Sequence, residues 1–310
     1  MKKFAKGCLI AALSMLFLGI IILVVCIIIG GTSLAGSLKN ELAQHGTISN
    51  IFDHTVVTYH NGKSNIDFSN DYPTYSGKYE NMQAALASEI AHLNIDLGGA
   101  SCVISESSDE YFHVYTEDAH EFQYFIEDDT FYLKGFDDIS FSVHTLDSHV
   151  VYLDIPKNAA FENIDIMLGA GYMKADSLSA SNNMTLEVGA GEFIADSLTV
   201  NTLNLEIGAG NVEIEDALIN NADVTVGFGN MTFYGTISKD LTAECGMGNM
   251  ELFLADSYES HNYDIECAMG NMTLHEKTFS AIAYSDYIDH NADSTYTLEC
   301  GMGNMTILFQ

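Results

Sequence analysis

A glycine-containing element, G-x-G, recurs along the second half of the chain at nearly constant spacing. Its first glycines are Gly169, Gly189, Gly208, Gly227 and Gly246, in steps of 20, 19, 19 and 19 residues. A variant begins at Ala268, and a further copy begins at Gly301. A fixed period near 20 residues is typical of solenoids, in which similar units stack and bury a face that no single unit can bury.

Alternation within each copy predicts strands on both sides of the element. Apolar residues lie one and three positions before the first glycine and resume four and six positions after it, so these positions face inward. The inward positions are odd-numbered before the first glycine and even-numbered after it. Such a one-residue change of alternation requires a bulge or corner in the strand, and glycine supplies the backbone freedom for it. The predicted structural corner glycines are Gly169, Gly171, Gly189, Gly191, Gly208, Gly210, Gly227, Gly229, Gly246, Gly248, Gly301 and Gly303. The pattern predicts an all-β fold, a parallel β-solenoid or β-helix-like repeat domain with a period of about 19–20 residues.

The N-terminal segment has the character of a membrane anchor. Lys2, Lys3 and Lys6 precede an uncharged, mostly apolar run at residues 7–31. About 20 helical residues span a bilayer, and basic residues before the span favour a cytoplasmic N-terminus. We therefore predict a single-pass cell-membrane protein with a cytoplasmic tip and anchor at 1–31 and an extracytoplasmic C-terminal domain. A cleaved signal peptide is the alternative, although its apolar region is usually shorter.

The anchor is followed by a predicted linker at residues 32–92. Within it, residues 79–92 have helix-forming composition, with Met82, Leu86 and Ile90 four apart, and predict a helix. From Leu93 onward, alternating β-branched and aromatic residues predict strands. The β-solenoid domain is therefore assigned to residues 93–310.

Charge excludes one large class of partner. The chain has 43 acidic residues against 11 basic ones, a formal net charge of −32. Nucleic-acid binding needs clustered basic residues, and anionic lipid head groups would be repelled. We therefore expect no nucleic-acid partner, and a membrane contact only through the N-terminal segment.

A column of acidic residues lies two positions before the corner. It comprises Glu187, Glu206, Glu244, Glu266 and Glu299. In a parallel stack such residues are about 4.8 Å apart, where two exposed charges repel by about 0.9 kcal/mol. The column is either a solvated face or a weak cation-binding face. We expect no cofactor, with weak Ca²⁺ binding by this column as the only candidate metal site.

The inward position directly before the corner is a cysteine in three copies: Cys245, Cys267 and Cys300. Buried free thiols are one interpretation. A bridge between Cys245 and Cys267 is the other, because neighbouring strands lie within disulfide range. Four Asn-Met-Thr sequences, at Asn183, Asn230, Asn271 and Asn304, match the glycosylation sequon, but corner asparagines also have a structural use because they tolerate unusual backbone angles.

No catalytic signature stands out. H-E-x-x-H, G-x-S-x-G and P-loop patterns are all absent from the sequence, and histidines are scattered, as surface residues would be. The recurring G-x-G leads into strands and not into the helix that dinucleotide binding needs. We therefore predict that the protein is not an enzyme.

Four stretches resemble a known family. "IDLGGASCVISESSDE" (Ile95–Glu110) looks like the opening strand pair of the bacterial "putative adhesin" domain of unknown function. "LEVGAGEFIADSL", "LEIGAGNVEIEDAL" and "VTVGFGNMTFYG" look like its later rungs. The resemblance covers about residues 93–310. It implies a β-solenoid-like fold on an envelope protein with one N-terminal membrane helix, and no catalytic residues.

These observations lead to a hypothesis and two alternatives. The hypothesis is a membrane-anchored extracytoplasmic module for binding or structure in the cell envelope, in adhesion, envelope organisation or stress sensing, with a wall or protein partner. One alternative is a polysaccharide-active enzyme on a β-helix, which would need a groove with paired carboxylates. The other is a cation-dependent regulatory ectodomain. Because the last rung ends at Gln310, an uncapped solenoid end is expected, and with it self-association.

Overall fold

The computed structural model describes residues 68–135, 150–279 and 283–310. The predicted anchor at 1–31 and most of the predicted linker lie outside these residues. Within the described ranges, the helical structure consists of two short 3-10 turns, Ala87–Glu89 and Tyr258–Ser260. No helix in this part of the chain is long and apolar enough to cross a membrane.

Strands form most of the described structure, and helix is limited to the two short turns, which confirms the predicted all-β class. The first are β1 (Tyr75–Leu86), β2 (His92–Leu97), β3 (Ser101–Ser107), β4 (Tyr111–Glu127), β5 (Thr130–Gly135), β6 (Val150–Pro156) and β7 (Phe161–Leu168). They are followed by β8 (Tyr172–Ala175), β9 (Leu178–Val188), β10 (Glu192–Ala195), β11 (Leu198–Ile207), β12 (Asn211–Val226), β13 (Asn230–Ile237) and β14 (Leu241–Cys245). The last are β15 (Asn249–Leu254), β16 (Asn262–Cys267), β17 (Asn271–Leu274), β18 (Lys277–Phe279), β19 (Tyr284–Ile288), β20 (Thr295–Cys300) and β21 (Asn304–Phe309).

Equivalent strands of successive repeats stack in parallel, as expected for a parallel β-solenoid. A rung consists of the strand before a glycine corner, the corner and the strand after it. Before the corner, β9 pairs with β11, β11 with the second half of β12, and that half with β14. After the corner, β10 pairs with the first half of β12, that half with β13, and β13 with β15. The β9–β11 and β12–β13 pairs each contain one register shift away from the corner. Next to the corners the strands pair residue for residue, so the columns of the sequence pattern there become columns of side chains.

The inward columns form the core. The residues predicted to face inward are buried: Val226 and Cys245 directly precede their corners, and Met250 and Leu252 follow theirs. Side chains two residues apart on a strand share one face, so the stack closes a continuous apolar interior between its sheets. The alternating positions face outward and carry the polar columns.

The order of rungs in space differs from their order in the chain at both ends. The rung formed by β2 and β3 lies between two others: the rung of β5 and β6 is on one side, and the rung of β7 and β8 is on the other. The last rung in the sequence, formed by β20 and β21, also lies between two others. The rung of β14 and β15 is on one side of it, and the rung of β16 and β17 is on the other. The expectation that the last rung is an uncapped end is therefore wrong.

Antiparallel strands cover the outermost rungs. At one end β4 pairs with both β5 and β6, and β1 pairs with β4. At the other end β19 pairs with β16, and β18 pairs with β17. An antiparallel strand satisfies the outer hydrogen-bonding groups without offering the rung pattern to another copy.

The predicted helix at residues 79–92 is wrong. Most of this segment is strand β1, which pairs antiparallel with β4, and only Ala87–Glu89 forms a 3-10 turn. The Tyr79 and Tyr124 hydroxyls lie 2.6 Å apart across this pair, and Tyr75 packs on Phe122. Long-range aromatic pairing overrides helix-forming composition, which is only a weak preference. The folded domain therefore begins before the predicted boundary at residue 93.

The corner glycines serve close packing and not unusual backbone angles. Among the described glycines, positive φ occurs at Gly77 and Gly235, neither of them in a corner. A Cβ atom on Gly303 would instead overlap the carbonyl of Gly248 and lie 2.9 Å from the Sγ of Cys245. Successive corners therefore nest backbone against backbone, and a side chain at the second glycine would push two rungs apart.

Candidate functional site

The acidic column runs along the outer face just before the corners. Strand pairing gives its spatial order as Glu187, Glu206, Thr225, Glu244, Glu299 and Glu266. Thr225 therefore interrupts the column, with two glutamates on one side of it and three on adjacent strands on the other. We call the adjacent three, Glu244, Glu299 and Glu266, the glutamate triad. Its members are exposed, whereas Glu187 and Glu206 are half-buried.

Glu299 is the central member of the triad. Partial desolvation raises the pKa of Glu299 above its ordinary value, and repulsion from Glu244, Glu266 and Asp264 adds to the effect. No member of the triad forms an ion pair within residues 68–135, 150–279 and 283–310. The triad is therefore a concentrated negative charge that no lysine of the described fold neutralises.

The middle residue of each G-x-G forms a second column beside the acidic one. Backbone hydrogen bonds between successive corners give its order as Ala170, Ala190, Ala209, Phe228, Met247, Met302 and Met269. The side chains are small in the first three rungs and large in the next four. Phe228, Met302 and Met269 are 48%, 46% and 50% exposed, and Met247 is half-buried. We call these four the apolar ridge.

A ladder of asparagine amides follows the corners. The Asn230 amide donates to Asn211, Asn249 to Asn230 and Asn304 to Asn249, each at 2.8 Å, and Asn271 donates to Asn304 at 3.1 Å. Three of the four sequon asparagines, Asn230, Asn271 and Asn304, belong to this ladder. Asn183 instead donates to Asn163 at 3.4 Å. The structural interpretation of these asparagines is supported, but its reason is the ladder: none of them has a positive φ.

The three inward cysteines lie beneath the ridge. Cys300 is opposite Cys245 on one side and Cys267 on the other, because the last rung is inserted between theirs. A Cys245–Cys267 bridge is therefore ruled out by the strand order, and the thiols are free and buried. Burial raises the pKa of Cys245 to about 11 and that of Cys300 to about 12.

Two buried histidines were missed by the sequence analysis, which treated histidines as surface residues. His261 Nε2 lies 2.9 Å from the Asp256 carboxylate, and its Nδ1 lies 2.7 Å from the Ser294 hydroxyl. His113 Nε2 lies 3.0 Å from Asp109. The aspartate partners are close in the sequence, but nothing in their spacing shows that the rings are buried, and Ser294 comes from a distant part of the chain. The His261 network joins the loop after β15 to the turn before β20, and so fixes the inserted rung.

A shallow pocket of about 440 Å³ lies next to this network, lined by residues that include Asp256, Glu259, His275 and Phe309. Its acids are poorly suited to glycoside hydrolysis, which needs a carboxyl group with a raised pKa. Glu259 accepts a hydrogen bond from Ser257 at 2.6 Å, which lowers the pKa of Glu259. Asp256 is held by His261.

The acidic column does not converge on a point. Within the part of the chain that the structure describes, no group of three or more His, Cys, Asp or Glu side chains is arranged to hold a metal ion. Weak Ca²⁺ binding by the column stays an untested alternative to a simple solvated face. The geometry is that of a line of charge and not of a coordination sphere.

The fold and its surface define an all-β repeat protein of the solenoid type, which displays ladders of like side chains along its corners. The chain belongs to the Toastrack DUF4097 family, whose model matches residues 90–307. This membership agrees with the resemblance to the "putative adhesin" domain seen in the sequence. No curated protein matches the chain.

Several solved structures are similar to the chain. A protein from Bacteroides fragilis described as a putative adhesin is 12% identical, covers 76% of this chain and 97% of its own, and gives a TM-score of 0.38. A putative cell adhesion protein from Clostridium sporogenes is 14% identical. The match covers 75% of this chain and 100% of the Clostridium protein, with a TM-score of 0.30. A putative lipid binding protein from Parabacteroides distasonis is 12% identical. The match covers 74% of this chain and 95% of the Parabacteroides protein, with a TM-score of 0.36.

Proposed function

We propose that this chain is a membrane-anchored, extracytoplasmic module for binding or structure in the bacterial cell envelope, and that it is not an enzyme. The observation that carries the proposal is the surface of the C-terminal rungs. There the glutamate triad, the apolar ridge and the asparagine ladder run side by side along successive corners. Such a surface is extended and regular, as repeat proteins use for binding.

The anchoring part of the proposal comes from the sequence. The apolar run at residues 7–31 follows three lysines, and every acidic residue lies after it. The rule for orientation counts basic residues near the span, and the three lysines before it favour a cytoplasmic N-terminus and therefore an outer C-terminal domain. Family membership gives a fold and leaves the ligand open.

The enzyme alternative has little support in the described residues. Of the acids that line the pocket, Asp256 contacts His261 through Oδ2, while its buried Oδ1 has no hydrogen-bond partner among the described residues. Hydrogen bonding lowers the pKa of Glu259, the opposite of what a general acid needs. A stack of side-chain ladders offers many equivalent weak contacts, whereas catalysis needs a few groups in one enclosed place. We therefore favour binding over turnover.

Protease accessibility and site-specific photo-crosslinking in living cells test this function. The full chain is expressed with a photoreactive residue in place of Met302, and matched cells carry it in place of Ala190, the equivalent but small corner residue. We expect external protease to digest the domain and the Met302 position to crosslink to an envelope component that mass spectrometry identifies. The proposal would be contradicted if external protease left the domain intact, or if neither the Met302 nor the Ala190 position formed a crosslink.

A further inference from the structure

We propose that the apolar ridge and the glutamate triad together bind a cationic amphipathic segment of a partner protein. This inference rests on the proposed binding function and names the chemistry of its partner. It is carried by two features that coincide in the same four rungs, one apolar and one acidic.

The apolar feature is an exposed ridge where other rungs have alanine. Phe228, Met302 and Met269 leave about half of their surface in water. The corner glycines on each side of them carry no side chain, so the ridge stands clear of its surroundings. Contiguous exposed apolar surface marks interaction sites, and methionine adapts its shape to varied partners. Three of the four ridge residues are methionines.

The acidic feature lies directly alongside. In each of the last three rungs of the ridge, a triad glutamate comes three positions before the methionine: Glu244 and Met247, Glu299 and Met302, Glu266 and Met269. The three glutamates occupy adjacent strands, and no lysine of the described residues pairs with them. A cation brought to this edge relieves the mutual repulsion of the three carboxylates, which adds to desolvation in raising the pKa of Glu299.

The two features select one occupant. A purely apolar segment would leave the triad unneutralised, and a purely basic one would leave the ridge in water. Anionic lipid and nucleic acid are repelled by the charge, and a second copy of the chain brings the same net charge of −32. A segment with an apolar stripe edged by lysine or arginine matches both features, because its stripe can lie along the ridge while its cationic edge meets the triad.

The dimensions of the ridge fit such a segment. Four adjacent parallel rungs at about 4.8 Å spacing make the ridge about 14 Å long. A helix rises about 1.5 Å per residue, so roughly ten residues, or three turns, cover it. The asparagine ladder borders the ridge on the other side and supplies a polar rim, as protein interfaces commonly have.

Titration with designed peptides tests the inference on the full chain in phosphatidylcholine nanodiscs. The probe is an amphipathic lysine–leucine peptide of about five helical turns, and the comparison peptide carries glutamate in place of every lysine. We expect the lysine–leucine peptide to bind, and the glutamate–leucine peptide and empty nanodiscs to give no comparable signal. The triple substitution E244Q/E266Q/E299Q is expected to weaken binding about tenfold, as is M247S/M269S/M302S.

The matched control is E187Q/E206Q, which neutralises the same column beside alanine corners. It is expected to leave the affinity unchanged. Three results would overturn the inference: no binding of the lysine–leucine peptide, equal weakening by the control, or equal binding of the glutamate–leucine peptide. Self-association that the ridge substitutions abolish would overturn it too, since the occupant would then be a second copy. If Met302 still crosslinks in cells while the peptide fails, the binding function stands and only the partner chemistry is wrong.

Discussion

Cys245 and Cys300 occupy the same inward position on adjacent parallel strands, although the rung of Cys267 comes between them in the sequence. The rung of β16 and β17 comes earlier in the chain but lies farther out, and the last rung of the chain lies between it and the rung of β14 and β15. The insertion brings together the three thiols, the glutamate triad and most of the apolar ridge. The surface proposed for binding therefore depends on the order of strands in space.

The thiols are expected to be unreactive in the folded protein. Burial holds the pKa of Cys245 near 11 and that of Cys300 near 12, so very little thiolate, the reactive species, exists at neutral pH. Alkylation followed by peptide mapping should find both residues unmodified until denaturant is added. Rapid native alkylation would contradict this prediction. Recovery of a disulfide that links Cys245 to Cys267 would contradict the strand order itself.

Leu298 tests the inserted rung. It is fully buried on β20, opposite Ala243 on one side and Ile265 on the other. Leu298→Ala is expected to cost about 2–5 kcal/mol in the free energy of unfolding, and hydrogen exchange should accelerate in both β14 and β16. The control Leu218→Ala removes a side chain that is 58% exposed, and should change the free energy of unfolding by less than about 0.5 kcal/mol. Acceleration in β14 alone, with β16 unchanged, would contradict the insertion.

Neutralising Glu299 is expected to stabilise the protein at neutral pH. Its pKa is raised in the folded state, so its contribution to stability is fully present below the ordinary glutamate pKa and is lost as pH rises through the folded value. Glu299→Gln should therefore raise the free energy of unfolding at pH 7 by about 0.5 kcal/mol, a value kept small because the side chain is exposed. The gain should vanish near pH 4. Thermal unfolding across this range measures it.

Glu251→Gln is the matched control for Glu299, since Glu251 is exposed on β15 outside the triad. At pH 7 it should change the free energy of unfolding by less than Glu299→Gln does. A gain for Glu299→Gln that persists unchanged at pH 4 would contradict the electrostatic explanation.

Calcium is expected to act on the acidic column as a source of ionic strength. The column is a line of single carboxylates, and no grouped set of metal-ligating side chains occurs in the described residues. Melting temperature should rise equally with calcium and with sodium at matched ionic strength, because both screen exposed charge. A calcium-specific rise that EDTA reverses would instead establish a cation site and favour the regulatory alternative.

The sequence allows the repeat, the inward columns and the glutamate column to be predicted, because alternation and period are local properties of the chain. The order of the rungs is not local: β14, β16 and β20 carry the same pattern, so the sequence does not show that β20 lies between the other two. Strand β1 was mistaken for a helix because its aromatic partners lie in β4. The asparagine ladder and the buried His261 network also depend on contacts between distant segments, which one sequence does not reveal.

Methyl NMR of the methionines tests the binding surface most directly. The chain has 13 methionines. The ridge methyl groups of Met247, Met269 and Met302 should shift when the lysine–leucine peptide is added to the full chain. The buried Met184 and Met305 should not shift, nor should Met82, which is 42% exposed on β1. Unchanged ridge signals with bound peptide, or equal shifts at Met82, would contradict the account.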